Sequence, residues 1–214
     1  VTFEKHEFGL GHTALVMFHG WKSNSKHFMH LFPFLYLSHR IITYDYTDDV
    51  FSGSISKTKQ GVEEIIEDAV QTTNKYDDVH TIGVSLGSMM STALAHRNKN
   101  VSRLVLIAGG WSIAYAVWNG KGAKEIRDEI KDVGFAYLRE QWASIAPEGN
   151  PISGRKVLIM DSERDSWMTG YNRYKLREQI GKSNDLETET ARYDHTGAIV
   201  SHLAKVGKIT KFLH

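Results

Sequence analysis

Short apolar runs rich in β-branched side chains recur along the chain at residues 13–18, 40–44, 79–84, 103–108, 156–160 and 187–193. Segments with helical periodicity lie between them. Runs this short and this continuously apolar predict strands covered on both faces, and their alternation with helices predicts an α/β fold with a mostly parallel central sheet and helices on both sides. The clearest helix carries Val62, Ile65, Ile66, Ala69, Val70 and Thr73 on one face and Glu63, Glu64, Glu67 and Asp68 on the other. Those acids are expected in its first turn, where the helix dipole favours them. Near the C-terminus Ile199, Leu203, Val206 and Phe212 predict one helix with an inward apolar face, with Lys205, Lys208 and Lys211 on its solvated side.

One stretch breaks the alternation. About 45 residues separate the run ending at Ala108 from the next one, far more than a simple crossover needs. Ile126, Ile130, Val133, Tyr137, Leu138 and Trp142 fall at helical spacing there, interrupted at Gly134, and the stretch ends in a loop signal between Pro147 and Pro151. The expectation is a single domain over residues 1–214 with a small helical cap inserted at about 110–152.

Composition changes the picture mainly by exclusion. The 26 basic and 25 acidic residues give a net charge of +1 and are interspersed, so no basic face points to nucleic acid. The absence of cysteine removes disulfides, thiolate metal sites and cysteine nucleophiles, leaving serine, threonine, lysine or a carboxylate for nucleophilic chemistry. No apolar stretch reaches the length of a membrane span, and no basic segment followed by an apolar block marks a signal peptide. A cytoplasmic location is expected; because the chain starts at Val1, room is left for a processed leader.

The run at 79–84 leads directly into Gly83-Val-Ser85-Leu-Gly87 and then into a helix of small and apolar residues. A strand, Gly-x-Ser-x-Gly and a helix in that order form a nucleophile elbow, in which a strained turn exposes the serine hydroxyl. The pattern alone is weak; its context carries it. A serine nucleophile needs a base to take its proton and a carboxylate to orient that base, and in this topology they follow in the order acid then histidine. Asp165 follows one later strand and His195 the next. Asp161 and Glu163 are rival acids. The oxyanion of a tetrahedral intermediate would be held by the amides of Leu86, directly after the serine, and of Trp21, in the loop after the first strong strand. Trp111, Trp118, Trp142 and Trp167, in the cap or beside the catalytic loops, are candidates to line an apolar acyl pocket, with ordinary packing the competing reading. His19 is read as a loop-shaping residue, and His27, His30, His39, His96 and His202 as polar surface or helix-face residues without metal-ligand spacing.

His19-Gly20-Trp21, Asp45, Gly83-x-Ser85-x-Gly87, Asp165 and Asp194-His195 stand in an order that resembles the α/β-hydrolase superfamily. Asp161 occupies a position where that family often has glycine, and between Asp45 and Ser52 only the ends of a common family motif remain. The resemblance implies a serine hydrolase without metal or organic cofactor, cleaving a carboxylic ester or thioester of a small to medium apolar acyl group through an acyl-enzyme on Ser85. The same machinery would also serve an amidase or peptidase, a C–C hydrolase or an acyltransferase, and the fold would serve a non-catalytic ligand-binding protein. The expected partner is a small-molecule substrate.

Overall fold

The computed structural model describes residues 2–214. Seven strands form one sheet: β1 (Phe3–Phe8), β2 (Thr13–Phe18), β3 (His39–Tyr46), β4 (Val79–Val84), β5 (Val101–Ile107), β6 (Lys156–Ser162) and β7 (Asp185–Ala191), in the order β1-β3-β2-β4-β5-β6-β7. All neighbours are parallel except β1, which runs antiparallel to β3. This edge strand was not anticipated from the sequence. Its Phe-Glu-Lys-His-Glu-Phe segment is mostly exposed, so it lacks the buried apolar run that marks β2 to β6; the other edge strand, β7, is mostly exposed as well.

The period-two geometry of the strands sorts side chains onto two faces. Ala14, Val16 and Phe18 point into one apolar layer, while Leu15 and Met17 point into the other. The chain supplies helices to both: α1 (Phe32–Leu35), α2 (Ile55–Thr73), α3 (Leu86–Arg97), α4 (Ile113–Asn119), α5 (Lys124–Glu129), α6 (Phe135–Trp142), α7 (Gly170–Gly181), α8 (His195–Leu203) and α9 (Val206–Leu213). Helices α2, α3 and α7 cover the first layer. Against the second lie α1, α9, the end of α8 and the 3-10 turn Ser25–Leu31.

Helices α4, α5 and α6 form the helical cap between β5 and β6, and the break at Gly134 separates α5 from α6. Ile126, Ile130, Leu138 and Trp142 are buried, anchoring the cap to the α2 side of the core. The apolar face expected on α2 is buried at Val62, Ile65, Ile66, Ala69 and Thr73, but some local expectations need correction. Helix α2 begins at Ile55, so its acids lie in its middle and its first turn holds none. The C-terminal helix is two helices broken at Ala204–Lys205, where Lys205 and Lys208 both bond Glu189 on β7, each at 2.6 Å. That pairing holds the Glu189 carboxyl down at about 2. His39 and His202 are buried rather than superficial. Among the described residues no helix is long and apolar enough to cross a membrane.

Candidate functional site

Ser85 joins β4 to α3 at φ 53° and ψ −114°, a left-handed conformation that a side-chain-bearing residue adopts only under local constraint. The constraint is visible on both sides. A Cβ on Gly83 would stand 2.2 Å from the Gly87 carbonyl oxygen, and one on Gly87 would stand 2.1 Å from the Phe18 carbonyl oxygen. Only glycine permits these approaches, and the Ser85 amide is tied to the Ile107 carbonyl on β5 at 2.8 Å.

The hydroxyl of Ser85 lies 2.9 Å from Nε2 of His195, the first residue of α8. On the other side of the ring Nδ1 is 2.7 Å from Oδ2 of Asp165. An ionised carboxylate only accepts, so the bond assigns the imidazole proton to Nδ1 and leaves the Nε2 lone pair facing Ser85. The second Asp165 oxygen accepts the amides of Trp167 and Met168 at 2.8 and 2.9 Å. Ser85 is 6 % exposed and the other two are 4 % exposed, so this chain of hydrogen bonds is shielded from competing water. The Trp167 indole stacks on the His195 ring, with centroids 4.7 Å apart and planes 5° from parallel.

The rival acids are engaged elsewhere. Asp161 lies inside β6, because that strand continues to Ser162, and its carboxylate accepts from Arg177 at 2.6 Å and from Thr190 at 3.2 Å. Glu163 is exposed and faces Arg192 at 3.5 Å. Asp194 caps α8 through the Gly197 amide at 2.8 Å. Arg164, adjacent in sequence to Asp165, leaves the Asp165 carboxylate to His195 and the two amides.

Ser162 and Tyr46 carried no sequence signal, whereas His19 and Asp45 stood in the motif order. Ser162 is buried at the end of β6; its hydroxyl accepts the Tyr193 amide at 3.0 Å and donates to the Tyr193 carbonyl, tying the loop that bears Asp165 to the one that bears His195. His19 shapes the first loop: Nδ1 donates to the Gly20 carbonyl at 2.7 Å, Nε2 accepts the Tyr46 amide at 3.3 Å, and the Tyr46 hydroxyl donates to the His19 carbonyl. Both nitrogens are used by the neutral ring, and burial lowers the pKa of His19 in agreement. A Cβ on Gly20 would stand 3.3 Å from that of Ser85, so this loop presses directly on the elbow. Asp45 anchors the 25–31 turn by accepting the amide and hydroxyl of Ser25, each at 2.6 Å.

Two cavities meet at Ser85. The larger, about 560 Å³, opens on the α8 side, walled by Lys22, His27, His195, Ile199, Val200 and Leu203 among others. The smaller, about 40 Å³, lies under the cap between Leu86, Met89, Ile113, Ala116, Val117 and Ala123. Trp21 and Trp167 border both. Of the four tryptophans read as pocket candidates, Trp167 alone lines the two cavities at Ser85. Trp142 is fully buried, packs on Phe51 and donates to the Ile55 carbonyl at 3.1 Å. Trp118 packs on Phe135, and Trp111 donates to Gln179 at 2.7 Å with Arg139 over its ring. Packing takes these three rings, and the cap faces the serine with Ile113, Ala116, Val117 and Ala123.

A doubly covered parallel sheet with a serine on a strained strand-to-helix turn defines the class of fold. The family model described as alpha/beta hydrolase fold matches residues 13–128, and the chain belongs to that family. No curated protein sequence matches it significantly. Among solved structures, acetyl xylan esterase 1 from Thermoanaerobacterium sp. JW/SL YS485 superposes with a TM-score of 0.69 at 17% identity, over 95% of this chain and 80% of that one. The alpha/beta hydrolase domain-containing protein 10 from mouse gives 0.67 at 14%, over 99% and 95%. The enol-lactonase from Burkholderia xenovorans LB400 gives 0.63 at 13%, over 99% and 96%. At these identities the likeness is one of fold.

Proposed function

We propose that the protein is a serine hydrolase of carboxylic esters or thioesters, with Ser85 as nucleophile, His195 as base and Asp165 as the acid that orients it, and with residues at about 110–152 as its cap. The observation that carries the reading is the hydrogen-bonded series Ser85–His195–Asp165 at the junction of two cavities. In this reading Oγ of Ser85 attacks the substrate carbonyl as His195 Nε2 takes its proton. The amides of Leu86, next to Ser85 in sequence, and of Trp21, in the loop after β2, hold the oxyanion. Collapse breaks the bond to the leaving group, which departs with the proton from His195. Water, deprotonated by the same nitrogen, then releases the acid and restores Ser85. Asp165 keeps Nδ1 protonated and stabilises the imidazolium in each half-reaction.

The test is reaction of the folded protein with a fluorophosphonate probe, with the modified peptide identified by mass spectrometry, alongside hydrolysis of 4-nitrophenyl esters. Labelling at Ser85 that abolishes turnover is expected. Turnover that survives complete labelling, or a protein that neither labels nor turns over any ester, would overturn the proposal.

A further inference from the structure

We infer that the two cavities at Ser85 divide the substrate by chemical role: the small one receives the acyl group and the large one the leaving group. The preferred substrate is then an ester of a two- or three-carbon acid with a bulky apolar alcohol. This rests on the serine-hydrolase reading above and deepens it.

The assignment follows from where the proton must go. In the tetrahedral intermediate the carbon carries Ser85 Oγ, the oxyanion, the acyl substituent and the leaving oxygen. The carbon–oxygen bond breaks productively only if that leaving oxygen receives the proton His195 Nε2 took from Ser85, so it must lie within hydrogen-bond reach of that nitrogen. His195 belongs to the wall of the large cavity. The wall of the small one, with Leu86, Met89, Phe51, Met168 and the cap residues, does not include His195. With the oxyanion directed to the amides of Trp21 and Leu86, the acyl substituent is left to the small cavity.

Size sets the specificity. About 40 Å³ on this side, against about 560 Å³ on the other, leaves room for a short acyl chain such as that of an acetyl or propionyl ester. Trp167 blocks a longer chain from crossing over: it borders both spaces, stacks on His195, and is pressed from the cap by Gly122, whose Cβ would meet the indole at 1.8 Å. On the leaving side 560 Å³ is available, and Ile199, Val200 and Leu203 present an apolar wall that continues to the surface at Val200, 65 % exposed. Attack therefore forms the Oγ–carbon bond, breaks the carbon–oxygen bond and frees the alcohol with its proton; water then releases acetate or propionate.

Two ester series test this. In 4-nitrophenyl esters of increasing acyl length, kcat/KM should fall at least about tenfold from propionate to hexanoate; in alkyl acetates it should rise about tenfold from ethyl to hexyl. Ala116→Leu, which fills the small cavity, should cut propionate relative to acetate, whereas Ile199→Trp should cut hexyl relative to ethyl acetate. Equal tolerance in both series, a preference for long acyl chains, or an Ala116→Leu effect on the alcohol series instead would overturn the assignment. Labelling of Ser85 separates the two layers: an unlabelled, inactive protein sinks the hydrolase reading and this inference together, while a labelled Ser85 with the wrong profile, or with no ester turned over, sinks this inference alone.

Discussion

Replacing Asp165 by asparagine should inactivate the site by a route that its geometry specifies. One carboxylate oxygen is held by two backbone donors, the amides of Trp167 and Met168, and the other faces His195 Nδ1 at 2.7 Å. In the asparagine variant the side-chain carbonyl must occupy the position facing the two N–H groups, since an amino group there would set donors against donors. The amino group is then directed at His195. Nδ1 becomes an acceptor, the imidazole proton moves to Nε2, and the nitrogen 2.9 Å from Ser85 can no longer accept its proton. A wrong tautomer of this kind lowers kcat by roughly 10³–10⁴, equivalent to about 4–5.5 kcal/mol of barrier at 1.36 kcal/mol per decade. Asp161→Asn makes the contrasting control. Its carboxylate is 1 % exposed and bonded to Arg177 and Thr190, so the change should lower stability by roughly 1–3 kcal/mol while kcat stays within about tenfold of the parent. The assay is kcat and KM for one short-chain 4-nitrophenyl ester, with urea melts of both variants and ¹⁵N spectra of the histidine rings. A kcat for Asp165→Asn within tenfold of the parent, or a larger loss at Asp161→Asn without loss of stability, would refute the reasoning.

Ser85→Ala should leave the urea transition cooperative and reduce ester turnover by at least about 10³, and the Ser85→Ala/His195→Ala pair should be no worse than either alone, because the groups act as one unit. Additive losses would separate them. Gly87→Ala places a Cβ 2.1 Å from the Phe18 carbonyl oxygen, a backbone atom that cannot yield locally, and should cost roughly 1–3 kcal/mol or more in a urea melt. A change within about 0.5 kcal/mol would mean that the elbow is looser than its geometry indicates. At the opposite end of the sheet His39 Nε2 and His80 Nδ1 are 3.0 Å apart, and burial lowers both rings from 6.5 to about 4. The fold therefore holds them neutral while the unfolded chain takes up protons, so stability should be fully present above about pH 6.5 and decline as pH falls towards about 4. Urea melts across that interval should show a steeper pH dependence than those of His39→Gln; equal slopes would contradict it.

Local pattern carried much of this molecule. Five strands, β2 to β6, were legible because a strand buried on both faces must be largely apolar, the edge strand β7 was legible only from its β-branched residues and its place in the alternation, and the elbow was legible because close backbone crossings demand Gly83 and Gly87. The order of Ser85, Asp165 and His195 was readable too, since strand succession dictates which loops gather at one end of a parallel sheet. Other features depended on contacts between segments distant in sequence. The edge strand β1 exists because β3 offers it backbone partners, while its own side chains remain mostly polar and exposed. What surrounds each acid separates Asp165 from Asp161 and Glu163: two amides and a histidine for the first, Arg177 and Thr190 for the second, and Arg192 at an exposed position for the third. Four tryptophans looked alike as pocket candidates, and docking of the cap buried Trp142 and engaged Trp111 and Trp118 in packing, placing Trp167 alone of the four against His195 and both cavities. Periodicity records which side of an element is apolar; what that side meets is decided when the elements pack.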